Sequence, residues 1–261
     1  MNDVGALTIF LDNFLQQIDA GFGLLSGQTE SLMSVLLLLN IVVSGFYWMF
    51  SNDAGAGVLV RKLISVAVII WLVRNWGALT FIVYSSFIDG GLQAGGGGLT
   101  QAQFLDPGAV AAQGTDISLT LAEKISSLTG PVGFFVNIVD IAVIGFAYIL
   151  IVLAFFVLAI QIFFAIVIFQ IGALLALLTM PFAVFKPTAW LAERPVAWVF
   201  ASGLRIASLA LVVALSQSLF LALAPASLDE ITINRTMAII LGAGVIFAAS
   251  VLAPRLSLIH I

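Results

Sequence analysis
The polar side chains inside the apolar stretches of this 261-residue chain are few: Asn40, Arg74, Asn75, Asn137, Asp140, Gln161, Gln170, Ser216 and Gln217. A proton- or ion-coupled transporter needs ionisable groups facing one another from several spans, often beside helices interrupted by Gly or Pro in two matching halves. Only Asp140 and Arg74 are such groups, and the sequence has no internal repeat. Asp140 lies eight residues into its apolar run, where an interfacial and a buried position are equally open. Arg74 marks either the interface of a short span or the interior of a longer one, where a charge costs about 3 kcal/mol or more and requires a polar partner. Gln161 and Gln170 are nine residues apart, so at about 100° per residue they fall on opposite faces of a helix and form no single stripe. Such amides serve as contacts between helices, or as rings lining a conduit where several copies assemble.

The remaining residues give catalysis no starting point. No nucleophile has a nearby base, and there is no HExxH, no P-loop and no pair of carboxylates facing each other across a span. An enzyme is not expected, and no cofactor is implied. The AGGGG run at 94–98 is followed by no GK[ST] and preceded by no strand pattern, so it reads as a flexible linker and not as a phosphate cradle. With no cysteine, disulfides and thiolate metal or redox sites are excluded. Lys186, Trp190, Arg194, Trp198 and Arg205 make a thin version of the basic, aromatic groove that binds single-stranded nucleic acid. The same residues also suit interfacial anchoring, with tryptophan at headgroup depth and the cations against anionic lipid. In a ring of copies, three cations per chain add up to a substantial field.

These residues must be positioned by helices. A chain that is 62% hydrophobic and 8% charged, with mean hydropathy +1.21, is far from the roughly half apolar, quarter charged composition of a soluble domain. Its apolar segments are long enough to cross about 30 Å of hydrocarbon, which takes about 20 helical residues, and they lack the short alternating strands of an outer-membrane barrel. The expected fold class is all-α, a polytopic transmembrane helical protein of the inner membrane. The net charge of −4 rests on too few residues to indicate a partner.

Residues 1–30 carry Asp3, Asp12, Asp19 and Glu30 and no Lys or Arg, so the basic region of a cleavable signal peptide is missing and the segment is expected to stay in the mature protein. Leu7, Phe10, Leu11, Phe14, Leu15 and Ile18 recur at helical spacing opposite Asp12, Asn13, Gln16 and Gln17. That pattern predicts an amphipathic helix along a membrane surface or against neighbours. The first span is 31–50, with Tyr47 and Trp48 as interfacial anchors. After a short SNDAGAG loop, Arg61 and Lys62 open a second span over about 63–83. From 89 to 131 the chain turns polar, with Asp106-Pro107-Gly108 as a turn signal and an amphipathic helix predicted over 116–128. The long apolar run 133–182 has Asp140 as its only charge; 204–223 and 237–252 are further spans, joined by the turn 225–235.

Basic residues in short loops resist translocation. Arg61 and Lys62, then Lys186, Arg194 and Arg205, then Arg255 mark three cytoplasmic segments, whereas the N-terminal region and the 89–131 loop carry four acids each and only Lys124 as a base, which predicts a periplasmic location. The long apolar run must then cross an odd number of times. As one helix of about fifty residues it would be about 75 Å long. A single crossing gives five spans, N-terminus out and C-terminus in; a tight turn near Gln161 gives six and puts Lys186, Arg194 and Arg205 outside.

The expected division is a periplasmic amphipathic segment at 1–30, two spans at 31–88, a periplasmic Gly-rich loop with its amphipathic helix at 89–131, a long hydrophobic region at 132–182, a cytoplasmic amphipathic elbow at 183–205 and two spans at 206–255. The last six residues, LSLIHI, hold the only histidine, His260. One set of codons for them coincides with the end of a transposon-based sequencing adapter. Residues 256–261 are therefore expected to be an artefact, the natural chain to continue past Arg255, and His260 to have no role.

The order of these features resembles a family. IDAGFGLL precedes the first span, RK opens the second, SFIDGGLQAGGGGLT leads into FLDPG, FFVLAIQIF lies in the long run, and MPFAVFKPTAWLAERPVAWVFASGLRIA follows. Together they look like TrbL, the polytopic inner-membrane subunit of conjugative type IV secretion systems, over about residues 5 to 250. The most specific part is Pro181-Phe182, Lys186, Thr188-Ala189, Trp190, Leu191-Ala192-Glu193-Arg194 and Ser202-Gly203-Leu204-Arg205, which resembles the family's cytoplasmic motif between two spans. Pro195 departs from the helix-compatible residues expected there; it disfavours an α conformation at Arg194 and argues against one continuous helix through the motif.

The resemblance implies a component of the envelope-spanning channel that passes DNA, with protein attached, out of a donor cell. It implies a periplasmic N-terminus, a central periplasmic loop, about five spans, assembly as homo-oligomers beneath a pilus-like stalk, and usually a C-terminal extension. The implied partners are the inner-membrane ATPase complex, the stalk or minor pilus subunit, the periplasmic core, membrane lipids and, for a conduit, the transferred DNA–protein substrate. The alternatives are a small-solute transporter or ion channel, and an assembly scaffold that never touches substrate.

Overall fold
The computed structural model describes residues 5–50, 56–130, 132–223 and 228–256. No strand occurs among them, and helices account for nearly all of them. Backbone in hydrocarbon must satisfy its own hydrogen bonds, which leaves only helices or closed barrels. The helices are α1 Gly5–Phe50, α2 Ala56–Arg74, α3 Trp76–Ala94, α4 Gln101–Phe104, α5 Pro107–Leu128, α6 Gly133–Val136, α7 Ile138–Thr179, α8 Trp190–Leu223 and α9 Ile233–Leu256. Among them α1, α7, α8 and α9 are each long and apolar enough to cross a membrane, and α2 with α3 makes a fifth span if the bent pair counts as one. The protein is all-α and polytopic. Asp3, most of the SNDAGAG loop, the side chains of Trp48, Asp229 and Arg255, and residues 257–261 with His260 lie outside the described residues.

The helix bounds depart from the hydropathy bounds in four places. First, α1 runs unbroken past position 30, where the sequence suggests a boundary. Polarity ends a hydrophobic stretch but not a helix: the hydroxyls of Ser26, Ser31 and Ser34 donate to the carbonyls of Gly23, Gly27 and Glu30, within the helix itself.

Second, the span expected over 63–83 is two helices bent by 71° at Asn75. The broken backbone is satisfied locally. The Asn75 N–H and Nδ2 both donate to the Trp71 carbonyl, at 3.0 and 2.8 Å, and the Asn75 carbonyl accepts from Leu79 N–H at 2.9 Å.

Third, the Gly-rich stretch is no flexible linker. Helix α3 runs through Gly90 and Gly91 and closes in a Schellman cap, with Gly96 N–H donating to Gln93 O at 3.1 Å and Gly97 N–H to Leu92 O at 3.0 Å. The φ values of 109° at Gly96 and 68° at Gly97 are the left-handed geometry this cap requires. Beyond it, Thr100 and Gln103 form a capping box on α4, and Asp106 caps α5, which begins at Pro107, well before position 116.

Fourth, α7 continues through Gln161 without interruption, so the tight turn of the six-span alternative is absent. Its 42 residues amount to about 63 Å of helix.

The chain forms two compact units, Met1–Leu11 with Ser86–Ile166 and Leu204–Ile261, and Asp12–Ser85 with Val167–Gly203. In the first, α3 meets α8 through small residues. A Cβ at Gly91 would lie 2.3 Å from the Ala207 carbonyl oxygen and 2.8 Å from Ala210 Cβ, and one at Gly95 would lie 2.5 Å from Ala214 Cβ. This is the small-xxx-small contact that lets membrane helices pack backbone to backbone. Phe155 of α7 wedges between Gly114 of α5 and the ring of Phe220, 5.5 Å away on α8. Thr8 of α1 donates to the Asp106 carboxylate and accepts from Gly108 N–H at 3.2 Å, which ties the N-terminal segment to the start of α5.

In the second unit the buried Trp76 indole N–H donates to the Ala173 carbonyl of α7 at 2.8 Å, and Tyr84 stacks on Phe169 with ring centroids 5.1 Å apart. These contacts seat the first turns of α3 on α7 immediately after the bend. Lys62 of α2 donates to Ser44 of α1, whose own hydroxyl donates to the Asn40 carbonyl.

Candidate functional site
The segment with the densest sequence signature is a compact connection from α7 to α8. Pro181 and Phe182 lie in a 3₁₀ turn, Met180–Val184; Lys186 opens a second, Lys186–Thr188; α8 starts at Trp190. Proline at the start of each turn fixes φ where no intrahelical donor is needed. The Thr188 hydroxyl bridges the two turns by donating to the carbonyls of Phe182 and Phe185, each at 3.0 Å. Pro181 is buried and Phe182 half-buried, whereas Lys186, Glu193 and Arg194 are exposed.

The Arg194 guanidinium lies over the Trp190 ring, 5.6 Å from its centroid, within cation–π range. Trp190 and Trp198 remain 54% and 46% exposed. Spaced by four, Trp190, Arg194 and Trp198 share one side of α8. Glu193 sits in the first turn of α8, where a carboxylate complements the helix dipole.

Pro195 does not break the motif. Helix α8 runs through it from Trp190 to Leu223. So near the helix start the proline removes a single bond, the one its N–H would give to Leu191, and neighbours on both sides keep the backbone helical. Ser202 and Gly203 are buried, and the Ser202 hydroxyl donates back to Trp198 O at 2.8 Å and Val199 O at 3.0 Å. Arg205 is half-buried, and its Nε is enclosed with no hydrogen-bond partner among the described residues.

Of the polar residues expected to mark a conduit, Arg74 and Gln170 belong to one unit and Asp140 and Gln161 to the other. Arg74 is exposed at the last position of α2, at the bend. Asp140 is half-buried in the first turn of α7 and lines a cavity of about 160 Å³ with Lys124, Ile231, Thr232 and Thr236. Gln161 and Gln170 are half-buried on α7, the first in one unit and the second in the other. A second cavity, of about 300 Å³, is lined by Gln113, Asp116 and Thr120 of α5 and by Gln217 and Phe220 of α8. Sequence reasoning noted Gln217 singly and passed over Gln113. The available signal was the spacing of Gln113, Asp116 and Thr120, which puts three polar residues on one face of α5.

The family model described as TrbL/VirB6 plasmid conjugal transfer protein matches residues 37–253. This chain belongs to the TrbL/VirB6 family. The match takes in all of α2 to α8, the motif from Pro181 to Arg205 and both cavities. No curated protein matches the chain. Membership makes it a multi-pass membrane component of conjugal transfer by type IV secretion, a structural subunit that works with other components of that machine.

Proposed function
We propose that this TrbL/VirB6 protein is an inner-membrane scaffold whose copies assemble around the translocation path, so that the path lies between chains and not through one. The observation that carries this reading is α7. Its buried face is apolar along its length, through Ile151, Phe155, Leu158, Ile162, Ile166 and Phe169, and Gln161 and Gln170 give it no polar stripe. A small-solute transporter would need polar or ionisable groups on that face. Apolar surface left over on α1, where Val35, Leu38 and Ile41 are 64%, 67% and 70% exposed, suits contact with lipid and with further copies.

The orientation we propose has the N-terminus and α5 in the periplasm and the connection from α7 to α8 in the cytoplasm. Basic residues supply the side: Arg61, Lys62, Lys186 and Arg194 stay inside. Parity is supported by the Thr8–Asp106 hydrogen bond. Residues in contact lie on one side of the membrane, so the chain between them crosses an even number of times; α1 is one crossing and the bent α2–α3 pair is the other. The cavity shared by Lys124, Asp140 and Thr232 extends the argument, since α7 and α8 then cross once each between its walls. The motif, with Pro181, Phe182, Lys186, Trp190, Glu193, Arg194, Ser202, Gly203 and Arg205, becomes the cytoplasmic interface toward the ATPase complex and anionic lipid; the stalk and periplasmic core meet the other side.

A photo-crosslinking residue at Leu38 in transfer-active donor cells tests the assembly. Copy-to-copy products of increasing size are expected, and lipid adducts of the monomer alone would overturn it. A periplasm-active reporter inserted after Arg194 should be silent and one inserted after Glu123 active; the reverse pattern would overturn the orientation without touching the assembly.

A further inference from the structure
The cavity of about 160 Å³ lies within the first unit, between the C-terminal end of α5, the first turns of α7 and the start of α9. Its wall holds one charge of each sign. Lys124 and Asp140 both line it and are both half-buried, yet they form no ion pair, and neither side chain is in a hydrogen bond among the described residues. Charges partly withdrawn from water and left unpaired are costly, and two of opposite sign around one small space suit a ligand that carries both counter-charges. Thr232 adds a donor. Its hydroxyl accepts from Arg235 N–H at 3.4 Å and donates to nothing among the described residues, whereas the Thr236 hydroxyl is engaged with the Thr232 carbonyl at 3.0 Å. Lys124 and Thr232 thus offer donors to an anion, and Asp140 offers acceptors to a cation.

The apolar spans of α7 and α9 begin at Ile138 and Ile233, so Asp140 and Thr232 stand at the level where both helices enter hydrocarbon, which is headgroup depth. From the cavity wall an exposed apolar row runs along α9 through Ile233, Met237, Leu241 and Val245, at intervals of four. It descends about 18 Å, close to half of the roughly 30 Å hydrocarbon core, the depth that one acyl chain fills. We infer that this cavity binds the headgroup of one phosphatidylethanolamine, with the phosphate on Lys124 and Thr232, the ammonium on Asp140 and an acyl chain along the α9 row. The volume, room for about five waters at about 30 Å³ each, suits a small headgroup. A primary ammonium brings three donors to the carboxylate. Choline brings none, and its recognition uses an aromatic cage, whereas the wall has no aromatic side chain among the described residues. A glycerol headgroup would leave Asp140 without a cation, and a serine headgroup would set a second carboxylate against it. Neither the proposed assembly nor the proposed orientation enters into this inference.

Native mass spectrometry tests it on the purified protein released from nanodiscs made of equal parts of phosphatidylethanolamine and phosphatidylcholine with identical acyl chains. One phosphatidylethanolamine should stay on each chain, in about tenfold excess over phosphatidylcholine, the factor expected of one charge-assisted hydrogen bond. This comparison needs no variant. Asp140→Asn should bring the ratio near one, because only the ammonium distinguishes the two lipids. Lys124→Gln should lower retention of both and leave the ratio unchanged, because both carry the phosphate. Neither side chain has a partner in the structure to lose, so both variants are expected to fold. Equal retention of the two lipids by the unmodified protein, or a ratio indifferent to Asp140→Asn, overturns the inference. A water-bridged pair of Lys124 and Asp140 would lower the melting temperature of both variants in every lipid and leave the ratio untouched, which also overturns it. Soluble phosphoethanolamine that raises the melting temperature in phosphatidylcholine nanodiscs as much as the lipid does would assign the cavity to a free zwitterion and overturn a lipid occupant.

Discussion
Replacing Gly91 with alanine should destabilise the protein, although the same exchange one residue earlier should stabilise it. Carbon atoms in contact sit about 3.5–4.0 Å apart, whereas a Cβ at Gly91 would be 2.8 Å from Ala210 Cβ and only 2.3 Å from the Ala207 carbonyl oxygen. Both obstacles are fixed to the α8 backbone, so relief requires α3 and α8 to part by about 1 Å, a gap that forfeits up to half of each van der Waals contact along the seam. Overpacking of this kind costs about 1–3 kcal/mol, from which the better helix propensity of alanine recovers up to about 1 kcal/mol. At Gly90 a Cβ would meet nothing within 4 Å, so only the propensity gain remains. The propensity gain is common to both, so the two variants should differ by the overpacking cost, about 1–3 kcal/mol, roughly 5- to 150-fold in the folding equilibrium. Thermal or denaturant unfolding of both variants in the same nanodiscs reads this directly. If Gly91→Ala melts at or above Gly90→Ala, the close packing of α3 on α8 is refuted.

Pro195→Ala should stabilise the protein by about 1–3 kcal/mol, because it restores the missing bond to Leu191 in a helix that is already continuous; a lower melting temperature would show that α8 does not pass through this point as described. Asp106→Ala should cost about 1 kcal/mol through loss of the α5 cap, and Thr8→Val should cost less when Asp106 is already alanine than when it is present. A double-mutant cycle on unfolding free energies measures that coupling, and strict additivity would dissolve the link between α1 and α5.

The fold class and most spans are legible in the sequence because hydropathy depends only on local composition, and crossing a membrane leaves few alternatives to helix. What local composition does not encode is where a helix ends. Arg74-Asn75-Trp76 contains nothing that forbids helix; the bend there is fixed by the Trp76 indole reaching Ala173, a partner far along the chain. The glycines at 90–98 look like a linker by composition, yet Gly91 and Gly95 are small because a neighbouring backbone is close, and Gly96 and Gly97 because their φ is positive. Pro195 misleads in the opposite sense, since a single lost bond near a helix start does not outweigh packing on both sides. The motif around Arg194 could be found from its residues, whereas the cavity of about 300 Å³ could not, because its walls come from Gln113 of one helix and Gln217 of another.

The contact between Thr8 and Asp106 also has a history in time. The two residues are 98 positions apart, and a ribosome adding about 5–20 residues per second needs roughly 5–20 s to separate them. During that interval the N-terminal segment has no acceptor, and on the proposed topology α1 and the bent pair behind it are handed to the bilayer first. Helix α5 does not wait for it: Asp106 already accepts from Ala109 N–H at 2.9 Å, so the helix can start capped and Thr8 joins afterwards. On that topology the bond works as a late latch in biogenesis, one that closes only on chains whose first three helices, α1 to α3, were inserted in order.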